Sequence, residues 1–269
     1  MAEGPDLTVS ENQRLKREVR QLNQRVAALE SSRWWRLHPR FLLRRLRPRT
    51  TDDAPPSSAA TPERAVDPVA ERFRREVFAR GRFTEDWFSM HIPAWEPVMR
   101  ELEGRAANVL ELGSFEGLSA SWVLWRLPDA RLTCVDTFAG IEGYEAYGIT
   151  TDTSEAFDHN VALFDGQRTH KLAGETHSVL PALVDAGDQF DLIYVDASHL
   201  AVDVLADAAF AWKLLRPGGV VIFDDYGLVP PGDDPLDHPQ PALNAFRELV
   251  ASRVDILGAD RQLMLRKKG

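Results

Sequence analysis

The sequence predicts an open α/β sheet of seven strands, wound by helices on both sides, over residues 70–269. Three observations predict it. Short apolar runs suited to buried parallel strands recur at Asn108–Leu112, Leu132–Val135, Thr169–Leu172, Phe190–Val195 and Val220–Phe223. Helical stretches alternate with them at Leu118–Trp125, Ser154–Leu163, Ser178–Val184 and Ala201–Leu215. Two final strands, Val254–Leu257 and Gln262–Leu265, close the chain as a hairpin, the last one antiparallel to the rest. After Ala201–Leu215, Arg216-Pro217-Gly218-Gly219 reads as a helix stop. Sheets wound this way bind ligands beyond the carboxyl ends of their strands, so chemistry is expected there.

A chain of 269 residues with 44% apolar content buries one full-sized core and carries an appendage. The single cysteine, Cys134, excludes a disulfide framework and a cysteine-based zinc site, and fits a reducing, cytoplasmic compartment. Its apolar surroundings make it a small core residue. No run approaches the ~18 apolar residues of a bilayer span, and the N-terminus is too polar for a signal peptide.

The net charge of −9 divides unevenly. Residues 1–49 hold 12 Lys+Arg against 5 Asp+Glu, and the remainder holds 20 against 36. An acidic body is a poor partner for phosphate, so no nucleic acid is expected.

Residues 1–32 read as a short coiled-coil helix. Asn12, Val19 and Val26 fall at a, and Leu15, Leu22 and Leu29 at d, a pattern that favours a parallel homodimer. A solvated single helix fits equally well, because fewer than three heptads are present. Residues 33–69 form a basic, aromatic segment and a linker. Seven arginines between Arg33 and Arg49 interleave with Trp, Phe and Leu, which suits peripheral contact with an anionic inner membrane face. RNA, a protein partner or a plain solvated linker are the other readings. Thr50 to Pro62 is a proline-stiffened tether.

The most informative loop follows the first strand: Glu111-Leu112-Gly113-Ser114-Phe115-Glu116-Gly117. Gly113 permits a sharp turn, and Gly117 permits close approach of backbone to a ligand. The spacing is Gly-x-x-x-Gly with a leading acid, not the phosphate-cradling Gly-x-Gly-x-x-Gly. A cationic, phosphate-free nucleoside fits such a loop. The second strand ends at Asp136, placed to accept both ribose hydroxyls.

These residues, together with Cys134-Val135-Asp136-Thr137-Phe138, Phe157-Asp158-His159-Asn160, Tyr194-Val195-Asp196-Ala197-Ser198-His199 and Phe223-Asp224-Asp225-Tyr226, resemble class I methyltransferases. More narrowly the sequence is similar to the family 24 group, relatives of catechol-type O-methyltransferases. The resemblance runs from about Arg82 to the end and implies a Rossmann-like fold with S-adenosyl-L-methionine as cofactor. It implies that Gly113, Phe115 and Ser119 line the methionine end of the cofactor, that Glu111 and Gly117 of the same loop also bind it, and that Asp136 holds the ribose. Asp196 then lies near the methyl group, with Thr176 and His177 flanking the adenine.

It further implies a Mg²⁺ site at Asp196, Asp224 and Asp225, with Asp225 standing where catechol-type enzymes usually carry asparagine. Converging carboxylates repel unless a cation or proton is shared, and oxygen ligands suit Mg²⁺. The bland alternative has Asp196 on the cofactor's ammonium and the other two capping a turn. His199, three residues past Asp196, is the candidate base, its ordinary pKa near ~6.5 suiting deprotonation of a hydroxyl; a structural histidine is the competing reading. His91, His159 and His238 are secondary candidates for acceptor contacts, and Asp158 and Asn160 for orienting a loop. Residues 226–241 are expected to cover the pocket. The expected reaction is methylation of a small-molecule or glycan hydroxyl. The alternatives are metal-independent N- or O-methylation, and a membrane-tethered scaffold that retains the cofactor fold.

Overall fold

The computed structural model describes residues 67–140, 152–227 and 234–269. The coil, the arginine-rich segment, the tether and residues 228–233 of the expected pocket cover lie outside the described residues. Among the described residues no helix is long and apolar enough to cross a membrane. Pro235–Asp237 form a separate 3-10 turn, in which the Leu236 N–H donates to Asp234 Oδ1 at 2.9 Å.

The sheet contains β1 (Asn108–Leu112), β2 (Arg131–Asp136), β3 (Thr169–Ala173), β4 (Phe190–Val195), β5 (Leu215–Phe223), β6 (Val254–Ala259) and β7 (Leu263–Lys267). Their order is β3-β2-β1-β4-β5-β7-β6, with β7 antiparallel to both of its neighbours. All seven expected strands are present and the last is antiparallel, as the pattern predicts.

Seven helices flank the sheet among the described residues: α1 (Pro68–Glu76), α2 (Ile92–Leu102), α3 (Leu118–Arg126), α4 (Ser154–Val161), α5 (Thr176–Asp185), α6 (Ala201–Leu214) and α7 (Pro239–Val250). Strand side chains alternate between two cores, as the two-residue period requires. Leu192, Tyr194, Val220 and Ile222 join Phe73, Trp95 and Trp122 on one face. Ile193, Val195, Val221 and Phe223 join Leu180, Ala208 and Phe246 on the other. Burying a large apolar side chain contributes on the order of 2–3 kcal/mol, so the fully buried Trp95, Trp122 and Phe73 anchor the first face.

Three helices went unread in the sequence. In α1, Asp67 Oδ1 accepts from the Val69 and Ala70 N–H groups at 2.9 Å each, with Pro68 opening the first turn. This helix starts two residues ahead of the boundary expected at Ala70. In α7 the buried residues Ala242, Leu243, Phe246 and Val250 have helical spacing; α2 was the third. A further difference concerns Arg216-Pro217-Gly218-Gly219. The helix does end, at Leu214, but these residues lie within β5 as an irregularity. Pairing jumps from Phe190↔Leu215 to Leu192↔Val220 around Gly218 at φ +81°, and Arg216 Nη1 anchors the jump on Asp191 Oδ2 at 2.9 Å.

The reversal of strand order between β1 and β4 sends α3 and α6 to opposite faces and opens a crevice at the carboxyl ends of the two strands. All expected site residues from the loops after β1, β2, β4 and β5 gather along this edge.

One buried acid lies on α6, away from that edge. Asp207 is buried and its Oδ2 has no hydrogen-bond partner. Burial pushes its pKa from 3.8 to about 6, against the pull of a hydrogen bond from Thr176. The folded state therefore holds a proton that the unfolded state releases, and stability falls as pH rises from about 4 through 6. Thermal melts of Asp207→Asn are expected to show a gain of about 2 kcal/mol at pH 7.5, shrinking at pH 5.

Candidate active site

Gly113 sits at the crevice with φ +82°, and a Cβ there would lie 1.9 Å from the Asp196 carbonyl oxygen. The loop after β1 and the end of β4 thus meet backbone to backbone, helped by the Asp196 N–H donating to Leu112 O at 2.7 Å. Gly117, at φ +78°, begins α3. Its added Cβ would meet the Phe157 ring at 2.9 Å, so packing against α4 also favours a glycine here.

The loop hangs on Asp136. Its Oδ2 accepts from the Ser114 and Phe115 N–H groups at 2.7 and 2.8 Å, and its Oδ1 from the Phe138 N–H at 2.6 Å. Thr137 Oγ1 lies 3.5 Å from Oδ1 as well, so Asp136, expected at the ribose, organises the loop through both of its oxygens.

Glu111 lies beneath the same loop. It accepts from Ser114 Oγ at 2.6 Å and from Ser119 Oγ at 2.5 Å, with Cys134 Sγ at 3.5 Å. Glu111 and Ser119, both expected against the cofactor, therefore bond to each other inside the protein. Cys134 is a buried core residue, as expected. Phe115, at φ +49°, stays half-buried with the Trp87 ring 5.4 Å away. Thr176 and His177 open α5; Thr176 bonds to Asp207, and His177 is exposed.

The acidic edge is built from β4 and β5. Asp196 Oδ2 accepts from Tyr194 Oη at 3.0 Å. Burial, then Asp224 and Asp225, hold the Asp196 carboxyl well above the usual carboxylate range. Beyond β5 the two expected acids diverge. Asp225, at φ +55°, turns to His199, with Oδ2 and Nε2 2.6 Å apart. Asp224 turns the other way, its Oδ1 accepting from Gln262 Nε2 at 2.8 Å, with His91 Nε2 3.8 Å off.

The group able to share an ion is Asp196, His199 and Asp225, with one ligand atom of each within 4.8 Å of the others. Of the expected Asp196, Asp224 and Asp225 set, Asp196 and Asp225 stand in this group, while Asp224 has its Oδ1 bonded to Gln262. His91 is buried, which lowers its pKa despite the pull of Asp224. His159 and His238 are half-buried at the sides of α4 and α7.

Sequence reasoning missed the supports. Glu116 accepts from the Thr84 N–H at 2.6 Å and from Thr84 Oγ1 at 2.5 Å. Asn160 Nδ2 donates to Glu116 O and Arg82 O, while its Oδ1 accepts from the Arg82 N–H. The segment carrying Trp87 and His91 is thereby tied to the glycine loop. Lys171 Nζ donates to Ser154 Oγ and Asp158 Oδ1 and lies 4.3 Å over the Phe138 ring. Phe157 and Asn160 stood in a segment already singled out, but nothing local marks their partners.

A family model described as a methyltransferase domain, of the family 24 group, matches residues 110–226. Over those residues the chain is similar to this family. The O-methyltransferase from Bacillus cereus, solved with SAH, is 20% identical with a TM-score of 0.51, over 77% of this chain and 94% of that one. TomG from Streptomyces achromogenes, an O-methyltransferase of tomaymycin synthesis solved with SAM, is 23% identical with a TM-score of 0.51, over 75% and 88%. MycE of mycinamycin biosynthesis, solved with Mg and SAH, is 16% identical with a TM-score of 0.54, over 76% and 55%. At these identities the likeness shows the class I methyltransferase fold. An uncharacterized protein, R132, of Acanthamoeba polyphaga mimivirus is 24% identical over 143 residues, 52% of this chain; the chain spans 60% of that curated relative's length.

The methyltransferase loop carries its own pH signature. Burial pushes Glu111 from 4.5 to about 7, outweighing the hydroxyl hydrogen bonds that lower it. Because the folded pKa is raised, stability falls as pH climbs from 4.5 to 7 and then levels off. Glu111→Gln is expected to remove up to about 3 kcal/mol of that decline; denaturant unfolding at pH 5 and pH 8 measures it.

Proposed function

We propose that this chain transfers the methyl group of S-adenosyl-L-methionine to a hydroxyl oxygen of a small molecule or glycan, with a divalent cation held at the acidic edge. The observation that carries the reading is the meeting of Asp196, His199 and Asp225 at the crevice where Gly113 touches β4. The cofactor's sulfonium supplies a methyl group to an attacking nucleophile, and its cationic tail suits an acid-lined crevice. The Asp136-organised loop would hold it, with Asp136 at the end of β2 beside the ribose.

Mg²⁺ fits the donor set, since Asp196 and Asp225 are hard oxygen ligands whose mutual repulsion a cation relieves. Its chemistry there is to lower the pKa of a coordinated hydroxyl. Cis ligands on Mg²⁺ with bonds of 2.0–2.1 Å lie about 2.9 Å apart. The 2.6 Å separation of His199 and Asp225 is shorter and reads as a hydrogen bond. His199 is accordingly assigned as the base, with Asp225 orienting its ring and balancing the charge it gains. Trp87 over Phe115 walls the loop side.

The experiment is transfer of labelled methyl from the cofactor into a host extract, with and without EDTA, followed by identification of the product. Labelling should stop in EDTA and return with Mg²⁺; full labelling in chelator overturns the metal assignment, and no cofactor binding by calorimetry overturns the enzyme. With the acceptor in hand, His199→Ala should lower kcat by about 10²–10⁴-fold while Mn²⁺ affinity holds. Weakened Mn²⁺ affinity would make His199 a ligand instead.

The arginine- and tryptophan-bearing segment is proposed to bring the enzyme, paired through residues 12–30, to anionic membranes near its acceptors. Sedimentation with anionic vesicles should fall when residues 1–50 are deleted, and equal binding by both forms refutes it.

A further inference from the structure

A buried chain of hydrogen bonds leads into the acidic edge from the core face that holds Trp95 and Tyr194. It begins at Trp95 of α2, whose Nε1–H donates to Gln262 Oε1 at 2.8 Å. It continues from Gln262 Nε2, which donates to Asp224 Oδ1 at 2.8 Å. Trp95 is fully buried and Gln262 is 5% exposed. The antiparallel register Phe223↔Leu263 brings Gln262 opposite Asp224, so the pairing of β5 and β7 creates the contact.

The direction of this chain is fixed by chemistry. An indole nitrogen only donates, so the amide oxygen of Gln262 must face Trp95 and its NH₂ must face Asp224. The amide cannot turn over without setting two donors against each other in a buried place. Asp224 thus always receives a donor on Oδ1, while its own N–H is pinned to Val195 O at 2.9 Å. His91 is too distant, at 3.8 Å, to supply that bond.

We propose that Gln262, oriented by the Trp95 indole, is the positioning residue that fixes the Asp224 carboxylate at the edge of the site. The fixing matters because Asp224 and Asp225 both act on Asp196, and an untethered Asp224 would swing away from that repulsion. With Oδ1 engaged, only Oδ2 is left to face a cation or its waters. This rests on the metal reading proposed above, in which outer hydrogen bonds to carboxylates tune affinity.

The competing role is plain packing of α2 against β7, and a pair of substitutions separates the two. Gln262→Met removes both bonds and strands the buried Trp95 N–H, so Tm should drop. Adding Trp95→Phe replaces both partners by apolar groups, and most of the lost Tm should return. Mn²⁺ affinity, read by electron paramagnetic resonance, should fall about tenfold in Q262M and stay low in W95F/Q262M. Crystal structures of wild type and the double variant should show Asp224 leaving its rotamer. Affinity that recovers along with Tm, or an Asp224 that keeps its rotamer, overturns the proposal. If wild type takes up no Mn²⁺, the metal reading falls and the Asp224 rotamer alone decides the role of Gln262. Should Q262M fail to fold, W95F carries the test: releasing the amide should weaken Mn²⁺ binding about threefold, and unchanged affinity overturns the proposal.

Discussion

Everything at the crevice depends on one backbone contact, the approach of Gly113 to the carbonyl of Asp196. Strands β1 and β4 are neighbours, but their chains leave in opposite directions. A side chain at position 113 would prise them apart at the point where the glycine loop meets the acidic edge. The contact sets the separation between the loop, which Asp136 shapes, and the carboxylates, which β4 and β5 deliver. In that sense the glycine serves the protein's own packing first.

A second constraint is the number of buried acids. Glu111, Asp196 and Asp207 are all raised by burial, and each costs stability near neutral pH that the two apolar cores must offset. The three differ in what they hold. Glu111 binds two serine hydroxyls beneath the loop, Asp196 waits among like charges, and Asp207 meets a single threonine. Carboxyls that share a site with other carboxyls, as Asp196 does, are the ones whose strain a ligand can relieve.

Much of the fold was legible because its signals are local. The two-residue alternation in Phe190–Val195 and Val220–Phe223 reports strands whose faces both meet a core, and Gly113 and Asp136 fall at strand ends where topology needs them. The spacing of Asp196 and His199 put them on one turn, and they do converge. What could not be read is set by pairing across distance or by a single dihedral. Asp225 turns to His199 because of its left-handed backbone, which no neighbour in the sequence announces. Gln262 reaches Asp224 through a strand register, and Asn160 clamps Arg82 across 78 positions. The bond that Gln262 gives Asp224 is hidden for that reason, and in α1, α2 and α7 the helically spaced apolar residues are masked by Pro68, Pro97, Pro239 and Pro241, which read as breaks.

The ammonium group of Lys171 holds both Phe138 and Ser154, and the Thr153 N–H closes on Phe138 O at 3.2 Å. One cation thus ties the end of β2 to the start of α4, so a change at Lys171 is felt at both elements at once.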